Sequence, residues 1–524
     1  MESIRRYILR MLSLFLTAAL TLNCFSARAS NVENSLVVGI QSTKTLTIRP
    51  LFPLERDFLS IYDLVYESLI TIDDDYVPQG KLAQSWEVSS NGKTWTFYLR
   101  PNVYFSNGNP LTAMDVVASA EMILNRANDE TTTDHGFYAN LKYFISSISA
   151  TNDSTVVVKT SNRPCYGLLY AMTFPIVPSS MVDADNPPGT GPYMISDFAA
   201  GDYVWLQANP SWWQAQPRVQ DIMFSLHDTQ KGVVDSYEYA RVDTVFTRSI
   251  AGAQYKSGTS SLTMSYRTNQ LECLLMNNSA NELTKNARMA IRHLVDIDKI
   301  ISSVYSGMAT RTDLPFYPGT WTYNDSLSSY FVRNAEEARR LLEADGWGDS
   351  NEDGILDRLN SEGKLVNFHL RFYLYEEPEN DVRVEAANMI ADTLNAVGIA
   401  CEPETMTLAA LTEKLQAGSY DLALVAFAMD RCPDPGFMLM KGNTGNYTRY
   451  KSTEITNLFE QLRKEVTQQG YQQKLWEIQS RFAEDCPFLC LYWRMGDVLT
   501  RYMYTTARDV REYELLRGIE SFDP

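Results

Sequence analysis

A loop rich in charged side chains follows the most apolar segment of the chain. Residues Asp421 to Met429 form a near-continuous apolar run, as expected of a strand covered on both faces. The loop after it reads Asp430-Arg431-Cys432-Pro433-Asp434-Pro435. Carboxylates such as Asp430 and Asp434 accept charge-assisted hydrogen bonds, which are roughly twice as strong as neutral ones. This loop is therefore the first candidate for contact with a charged ligand group.

A second acidic stretch has the oxygen spacing and the glycine of a calcium loop. It reads Asp349-Ser350-Asn351-Glu352-Asp353-Gly354. The twelfth position is Asn360, where such loops need a bidentate glutamate, so an acidic turn is the favoured interpretation. The four histidines (His135, His227, His293 and His369) show no ligand spacing. We therefore expect no metal site and no cofactor.

The motifs of common enzyme classes are incomplete. Gly92-Lys93-Thr94 resembles the end of a phosphate-binding loop, but Glu87 stands where the required glycine belongs. The Gly189-x-Gly191 pair is followed by Met194 in place of a third glycine. We name no catalytic residue. A pair of carboxylates for glycosidic cleavage stays open, because a chain this rich in acidic residues offers many chance pairs.

The elements that must position the charged loop are readable from residue 364 onward. Alternation of Val366, Phe368, Leu370 and Phe372 predicts a strand, and apolar residues at helical spacing from Ala387 to Val397 predict a helix that Gly398 stops. A strand over 399–405, a helix over 408–415 and the apolar strand after Asp421 follow. This alternation implies a mostly parallel sheet, whose ligands bind outside the carboxyl ends of the strands.

The segment 82–117 predicts a hairpin and a capped helix. Trp86 and Val88 alternate with polar neighbours, Asn91-Gly92 is a hairpin turn, and alternation resumes at Trp95. Thr112 and Asp115 form an acidic variant of the capping box. Further along, Asn334 predicts a helix N-cap, and residues 287–301 predict one helix. With short strands throughout 30–280, we read that region as α+β.

The first 29 residues predict a secretory signal. Arg5, Arg6 and Arg10 are followed by an apolar run that is shorter than the roughly 20 residues of a membrane span. Ala27-Arg28-Ala29 offers a cleavage site, so export to the periplasm or cell surface is expected. Lipid attachment at Cys24 is the less favoured alternative, because Asn23 precedes it.

The charge of the chain restricts its partners. The formal net charge is −18 at pH 7. Such a surface repels nucleic acid and anionic lipid, so neither is an expected partner.

Six motifs in order give the chain its family resemblance. Five follow the 82–117 segment: Gly189-Thr190-Gly191-Pro192-Tyr193, Trp205–Trp213, Ala287–Ile301, Leu341–Gly354 and Tyr420–Pro435. Together they resemble the peptide- and nickel-binding class of extracellular solute-binding proteins. The resemblance covers most of residues 36–500.

That resemblance implies a two-lobed α/β and α+β fold with an extra domain inserted in the first lobe and two strands crossing between the lobes. By analogy, domain I combines 30–72, 172–268 and 492–524, domain II is 73–171, and domain III is 269–491. The six cysteines after the signal have two interpretations: buried thiols, or a set that includes a Cys273–Cys432 bridge, since Cys432 lies in the cleft loop and Cys273 in a predicted crossing strand.

The resemblance also implies ligand contacts. In peptide-binding members an acidic residue of the cleft loop pairs with the ligand's α-ammonium group, which points to Asp430, with Asp434 as competitor because the spacing differs by one residue. Phe427 is expected to wall a side-chain pocket, and Ala428 and Met429 to offer backbone groups to an extended peptide. Trp321 is expected to face the cleft.

The function implied is that of a monomeric, non-enzymatic receptor that delivers short peptides to a membrane ABC importer. A receptor of the same fold for nickel complexes, haem or another small solute is the first alternative. A secreted hydrolase is the alternative from another class.

Overall fold

The computed structural model describes residues 35–42, 47–256, 262–377, 381–501 and 510–521. The predicted signal over 1–29, including Cys24, lies outside these residues. None of the helices in the described part of the chain has the length and apolar character that a bilayer crossing requires.

Strands and helices alternate along most of the chain. The strands are β1 (Ser35–Gln41), β2 (Ile70–Ile72), β3 (Pro78–Gly80), β4 (Ala83–Val88), β5 (Thr94–Leu99), β6 (Ile145–Asn152), β7 (Thr155–Thr160), β8 (Tyr193–Ala199), β9 (Tyr203–Ala208), β10 (Asp221–His227), β11 (Thr244–Thr247), β12 (Leu262–Met276), β13 (Ala309–Arg311), β14 (Asp357–Leu359), β15 (Leu365–Asn367), β16 (His369–Tyr375), β17 (Ala400–Met406), β18 (Leu422–Ala428) and β19 (Phe488–Thr500). The helices are α1 (Phe58–Val65), α2 (Ala113–Ala127), α3 (Leu168–Ala171), α4 (Gln230–Glu238), α5 (Lys285–Leu294), α6 (Ile297–Val304), α7 (Ala335–Ala344), α8 (Val382–Asn395), α9 (Leu408–Ala417), α10 (Gly436–Leu439), α11 (Thr453–Leu462) and α12 (Gln468–Asp485).

A single large sheet runs through both halves of the molecule. Its strand order is β17-β16-β18-β12-β19-β11-β1-β10-β9-β8, with β13 paired to β19. We call the half built on β1 and β8–β11 the first lobe, and the half built on β16–β18 the second lobe. The long antiparallel strands β12 and β19 belong to both halves, and their register shifts between Arg267 and Leu271. The crossing strands expected from the resemblance are therefore present.

A separate four-stranded sheet, β4-β5-β7-β6, lies between β1 and β8 in the chain and is thus inserted in the first lobe. The predicted hairpin is confirmed, with Trp86 opposite Phe97 and Val88 opposite Trp95. The capping box at the start of α2 is confirmed too, since the Thr112 amide donates to Asp115 Oδ2 at 2.8 Å. Helix α2 packs against β6 and β7 of this sheet, and burial alternates along the neighbouring strand β5.

The second lobe follows the predicted β-α-β-α-β pattern. Strand β16 is parallel to both β17 and β18, and α8 buries Ala387, Ile390 and Leu394 against them. The predicted strand start was wrong, because the alternating run that begins at Val366 is split into β15 and β16. The N-cap at Asn334 is confirmed by its acceptance of the Glu337 amide at 3.0 Å.

The predicted single helix over 287–301 is two helices, α5 and α6. Val295 has extended backbone angles (φ −63°, ψ 124°), and the Asp296 side chain then accepts the Lys299 amide at 3.1 Å. A side chain that caps a new helix competes with continuation of the old one. Asp296 therefore ends one helix and begins the next, which apolar periodicity alone does not show.

Candidate functional site

Two adjoining cavities lie between the lobes, around the loop that follows β18. The first has an empty volume of about 910 Å³ and the second of about 1120 Å³, and part of each volume is open to solvent. Both are lined by Asn269 of the crossing strand, by Met429, Asp430 and Arg431 of the loop, and by Tyr513 near the C-terminus. The shared lining makes them two compartments of one cleft centred on the charged loop.

Asp430 faces both compartments. Its carboxylate accepts the Asn140 side-chain amide at 2.6 Å and the Cys432 backbone amide at 3.1 Å. No cationic group among the described residues lies within ion-pair distance of it. Although the side chain is exposed to the cavity space, the surrounding protein desolvates the carboxylate and raises its pKa above the ordinary value. A cationic group that entered the cleft would therefore stabilise the ionised form of Asp430.

Asp434, four residues later, has cationic partners within the protein. Arg463 Nε lies 2.8 Å and Arg163 Nη1 3.3 Å from Asp434 Oδ2, and the Gly436 amide donates to Oδ1 at 2.9 Å. Its side chain is 5% exposed although it borders the first compartment. These two ion pairs neutralise the charge of Asp434. They also hold the loop against Arg163 of the inserted segment and Arg463 of the second lobe.

The end of β18 meets the cleft through its backbone. Met429 uses both of its polar groups, since its amide donates to the Asn269 carbonyl at 2.9 Å and its carbonyl accepts from Asn269 Nδ2 at 3.3 Å. Ala428 is exposed and lines the second compartment. Strand β16 pairs with β18 only as far as Leu424, so the outer edge of β18 is open beyond that residue.

Phe427 and Trp321 do not line either compartment. The Phe427 ring packs on Phe437 and Tyr447, with centroids 5.9 and 6.4 Å away. Trp321 donates its indole N–H to the Tyr76 carbonyl at 3.0 Å. Trp321 therefore holds the backbone of Tyr76 in place, while its own ring lies outside both compartments.

The sequence interpretation missed a group of charges contributed by the segment near the C-terminus. Glu514 is surrounded by Arg511 at 2.9 Å, Arg431 at 3.1 Å and Arg517 at 3.3 Å. Burial alone would raise the pKa of Glu514, but these guanidinium groups outweigh it and hold the pKa below the ordinary value. The residues are conspicuous in the sequence, but nothing in their spacing indicates that residues 511–517 reach the loop at 430.

Arg267 and Tyr76 were missed as well. Arg267 lies on β12 just before the register shift, and its guanidinium carbon is 5.2 Å from the centre of the Tyr76 ring and 4.5 Å from that of Tyr317. All three residues line the first compartment. They are far apart in sequence, so only the fold brings them together.

The Cys273–Cys432 bridge is wrong, and the alternative interpretation as buried thiols is confirmed. All six cysteines within the described ranges are unbridged. Cys273 lies opposite Cys490 in the β12–β19 ladder. The Cys432 thiol lies 3.8 Å from the Tyr471 hydroxyl of α12 instead. The register of β12 against β19 places Cys273 beside Cys490, and the family analogy did not reveal that register.

The family described as "Bacterial extracellular solute-binding proteins, family 5 Middle" matches residues 77–449. The chain belongs to this family.

Relatives of this solute-binding protein agree with the fold over nearly its whole length. The oligopeptide-binding protein AppA of Bacillus subtilis (strain 168) is 23% identical over 553 residues, covering 97% of this chain and 98% of AppA. The structure of AppA from Bacillus subtilis in complex with a nonapeptide has a TM-score of 0.67 and 20% identity, over 93% of this chain and 98% of that one. NikZ from Campylobacter jejuni in complex with Ni(L-His) has a TM-score of 0.71 and 16% identity, over 94% and 100%.

The acidic stretch 349–354 of this solute-binding protein is a tight turn. Asp349 accepts the amides of Asp353 and Gly354 at 3.1 and 3.0 Å, and Gly354 has the positive φ of 85° that such a turn needs. Across the part of the chain that the structure describes, no group of three or more histidine, cysteine, aspartate or glutamate side chains is arranged to hold a metal ion.

Proposed function

We propose that this solute-binding protein captures short peptides between its lobes and delivers them to a membrane ABC permease. The observation that carries the proposal is Asp430, a carboxylate that faces the cleft without a cationic partner among the described residues. A peptide's α-ammonium group supplies the missing charge. The sequence match to the oligopeptide-binding protein AppA, which covers 97% of this chain, supports a peptide cargo.

The open edge of β18 supports an extended peptide. In an antiparallel ladder, residues alternate between exchanging hydrogen bonds with the partner strand and pointing their N–H and C=O groups away from it. Met429 bonds Asn269 of β12, so the preceding residue, Ala428, points its backbone groups to the open edge. A peptide strand added there is held by main-chain bonds that do not depend on its side chains.

Lobe closure about the crossing strands is the proposed mechanism. It assumes division near residues 268/269 and 491/492, with domain I at 30–72, 172–268 and 492–524, domain II at 73–171 and domain III at 269–491. The register shift after Arg267 supports a hinge there, since an interrupted ladder bends more readily than a regular one. Asn140–Asp430 and Arg163–Asp434 already join the inserted segment to the cleft loop in this structure, so they are contacts that opening of the lobes would break.

Replacement of Asp430 by asparagine tests the proposal. We expect Asp430→Asn to weaken the binding of a short peptide by at least about 30-fold, near 2 kcal/mol, because the ligand's ammonium group is left without a countercharge. Calorimetric titration measures the change. Asp202→Asn is the matched control, since Asp202 is an exposed aspartate in the turn between β8 and β9, away from both compartments. Equal affinity of wild type and Asp430→Asn would contradict the assignment.

The proposal includes export of a monomeric receptor without catalytic activity. Peptide incubated with the protein should therefore be recovered intact, whereas cleavage products would favour a hydrolase. Native mass spectrometry of protein purified from its own host identifies the cargo directly. A peptide mass supports the proposal, and a nickel complex or haem would replace it with another function of the same family.

A further inference from the structure

The charges that line the first compartment balance one another with two exceptions. The charged lining residues are Arg267, Asp430, Arg431, Asp434, Arg511, Glu512 and Glu514. Glu514 pairs with Arg431 and Arg511, Glu512 pairs with Arg56, and Asp434 pairs with Arg163 and Arg463. Among the residues that the structure describes, Arg267 and Asp430 alone in this set have no ion pair. One is cationic and the other anionic.

Arg267 is half-buried, and its donors remain available. Its guanidinium lies over the rings of Tyr76 and Tyr317, at 5.2 and 4.5 Å from their centres, and no carboxylate of the described part of the chain lies within 4.0 Å of its nitrogens. An arginine that contacts aromatic faces in this way still carries N–H groups in the plane of the guanidinium. Those groups are the ones that bind a carboxylate in the bidentate geometry.

The tyrosine beneath Arg267 is held firmly in place. Tyr76 has a left-handed backbone with φ of 65°, and its carbonyl accepts hydrogen bonds from Trp321 Nε1 at 3.0 Å and from the Tyr170 hydroxyl at 2.8 Å. Its ring stacks on Tyr317 at 6.2 Å with an interplanar angle of 10°. A rigid aromatic platform of this kind limits where the guanidinium can lie.

We propose that Arg267 binds a carboxylate group of the captured ligand, so that the receptor favours peptides with an anionic group in reach of the first compartment. The inference rests on the proposed function, in which Asp430 binds the ligand's ammonium group. Together the two residues complement a ligand that carries both signs of charge. The carboxylate has two chemical sources, the peptide's C-terminus and an aspartate or glutamate side chain.

Four peptides of equal length distinguish the sources. They are Ala-Ala-Ala with a free carboxylate, the same peptide as its amide, Ala-Glu-Ala amide and Ala-Gln-Ala amide. With wild-type protein we expect an anionic peptide to bind about tenfold or more tightly than its neutral counterpart. A preference for the free carboxylate over the Ala-Ala-Ala amide assigns the C-terminus. A preference for the glutamyl over the glutaminyl amide assigns the side chain.

Three variants separate charge recognition from structural damage. Arg267→Gln should lose the preference while still binding the neutral peptides, and Arg267→Lys should keep part of it. Arg358→Gln is the matched control, because Arg358 also stacks on an aromatic ring, that of Trp347 at 4.2 Å, but lies away from both compartments. Melting temperatures of the variants establish that each is folded.

The outcomes are distinguishable. Loss of the preference in Arg267→Gln alone supports the inference. Equal binding of all four peptides by the wild type, or an unchanged preference in Arg267→Gln, overturns the inference and leaves the proposed function standing. A protein that binds none of the four peptides overturns the proposed function and this inference with it.

Discussion

Two groups of charged side chains, each with one member on the crossing strand β12, differ in how they are compensated. Behind the cleft, Glu272 of β12 is fully buried and bonds Arg383 at 2.7 Å and Arg494 at 3.0 Å. Both arginines also reach Glu377, at 2.7 and 2.9 Å. In the cleft, Arg267 and Asp430 lack such partners within the described residues. The fully buried Glu272 is neutralised, whereas the two unpaired charges face the cleft.

The difference follows from the cost of desolvation. A charge removed from water is tolerated in a protein interior when opposite charges and hydrogen bonds replace the water. For Glu272, burial would raise the pKa, but Arg383 and Arg494 more than offset it, so its pKa lies below the ordinary value. For Asp430, whose side chain faces the cleft, desolvation by the surrounding protein dominates and raises the pKa. The same physical effect thus distinguishes a structural carboxylate from a candidate binding carboxylate.

The largest expected effect comes from breaking the network behind the cleft. Arg383→Met should lower the free energy of unfolding by about 3–5 kcal/mol, because the fully buried Glu272 loses one of its partners. Arg383 has 1% side-chain exposure and Glu272 none. Denaturant unfolding measures the loss. The double variant with Glu272→Gln should recover part of it, and an unaltered stability of Arg383→Met would erase the contrast with the cleft.

A smaller effect is expected within the cleft loop itself. Asp434→Asn should destabilise the protein by about 1–3 kcal/mol, since Arg163 and Arg463 lose their common countercharge. Asp430→Asn should leave stability within about 0.5 kcal/mol of wild type, because it breaks no ion pair. The two variants carry the same substitution at positions four residues apart, so each is the control for the other. Equal destabilisation would contradict the division of roles.

The smallest expected effect concerns Asp63, which faces the second compartment. Desolvation by the surrounding protein and the charge of Glu514 raise its pKa to about 7, Arg431 and Lys81 lower it, and Glu520 raises it further. Because the Asp63 side chain is exposed in the cleft, solvent screens these charges, and only a small part of the shift is expected to affect the free energy of unfolding. In the unfolded chain the Asp63 carboxyl group ionises near pH 4. Between that pH and about pH 7, the folded state therefore binds more protons than the unfolded state. Stability from this group therefore falls as pH rises through that window.

Asp63→Asn removes this dependence. Its melting temperature should exceed that of the wild type by more at pH 8 than at pH 5, as measured by thermal unfolding in matched buffers. A difference that is the same at both pH values would show that Asp63 titrates normally.

Local features of the sequence predicted local structure well. The hairpin turn at Asn91-Gly92, the cap at Thr112 and the stop at Gly398 are decided by the conformations of a few neighbouring residues. The helix break at Asp296 escaped prediction, because an apolar period continues across it while a single side chain caps a new helix.

The candidate site was predictable only in part. The loop at 430–435 follows a strand whose apolar run marks it, so its place at the end of the sheet could be inferred. Which of its two aspartates is compensated depends on Arg163 and Arg463, and the spacing of the chain does not reveal that pairing. The motif order that suggested the family was sufficient for the fold, and the site residues assigned by that analogy remain predictions.

The sequence by itself determined the alternation of elements, the solute-binding family and the charged loop at the end of β18, because these depend on patterns among near neighbours. Only the tertiary structure decided which charges are neutralised. Arg267, Tyr76 and Tyr317 meet because β12 crosses between the lobes, and Glu514 reaches Arg431 because residues 511–514 line the cleft. Whether a charge is neutralised depends on its distance in space from opposite charges, and residues hundreds of positions apart in the sequence can lie within that distance.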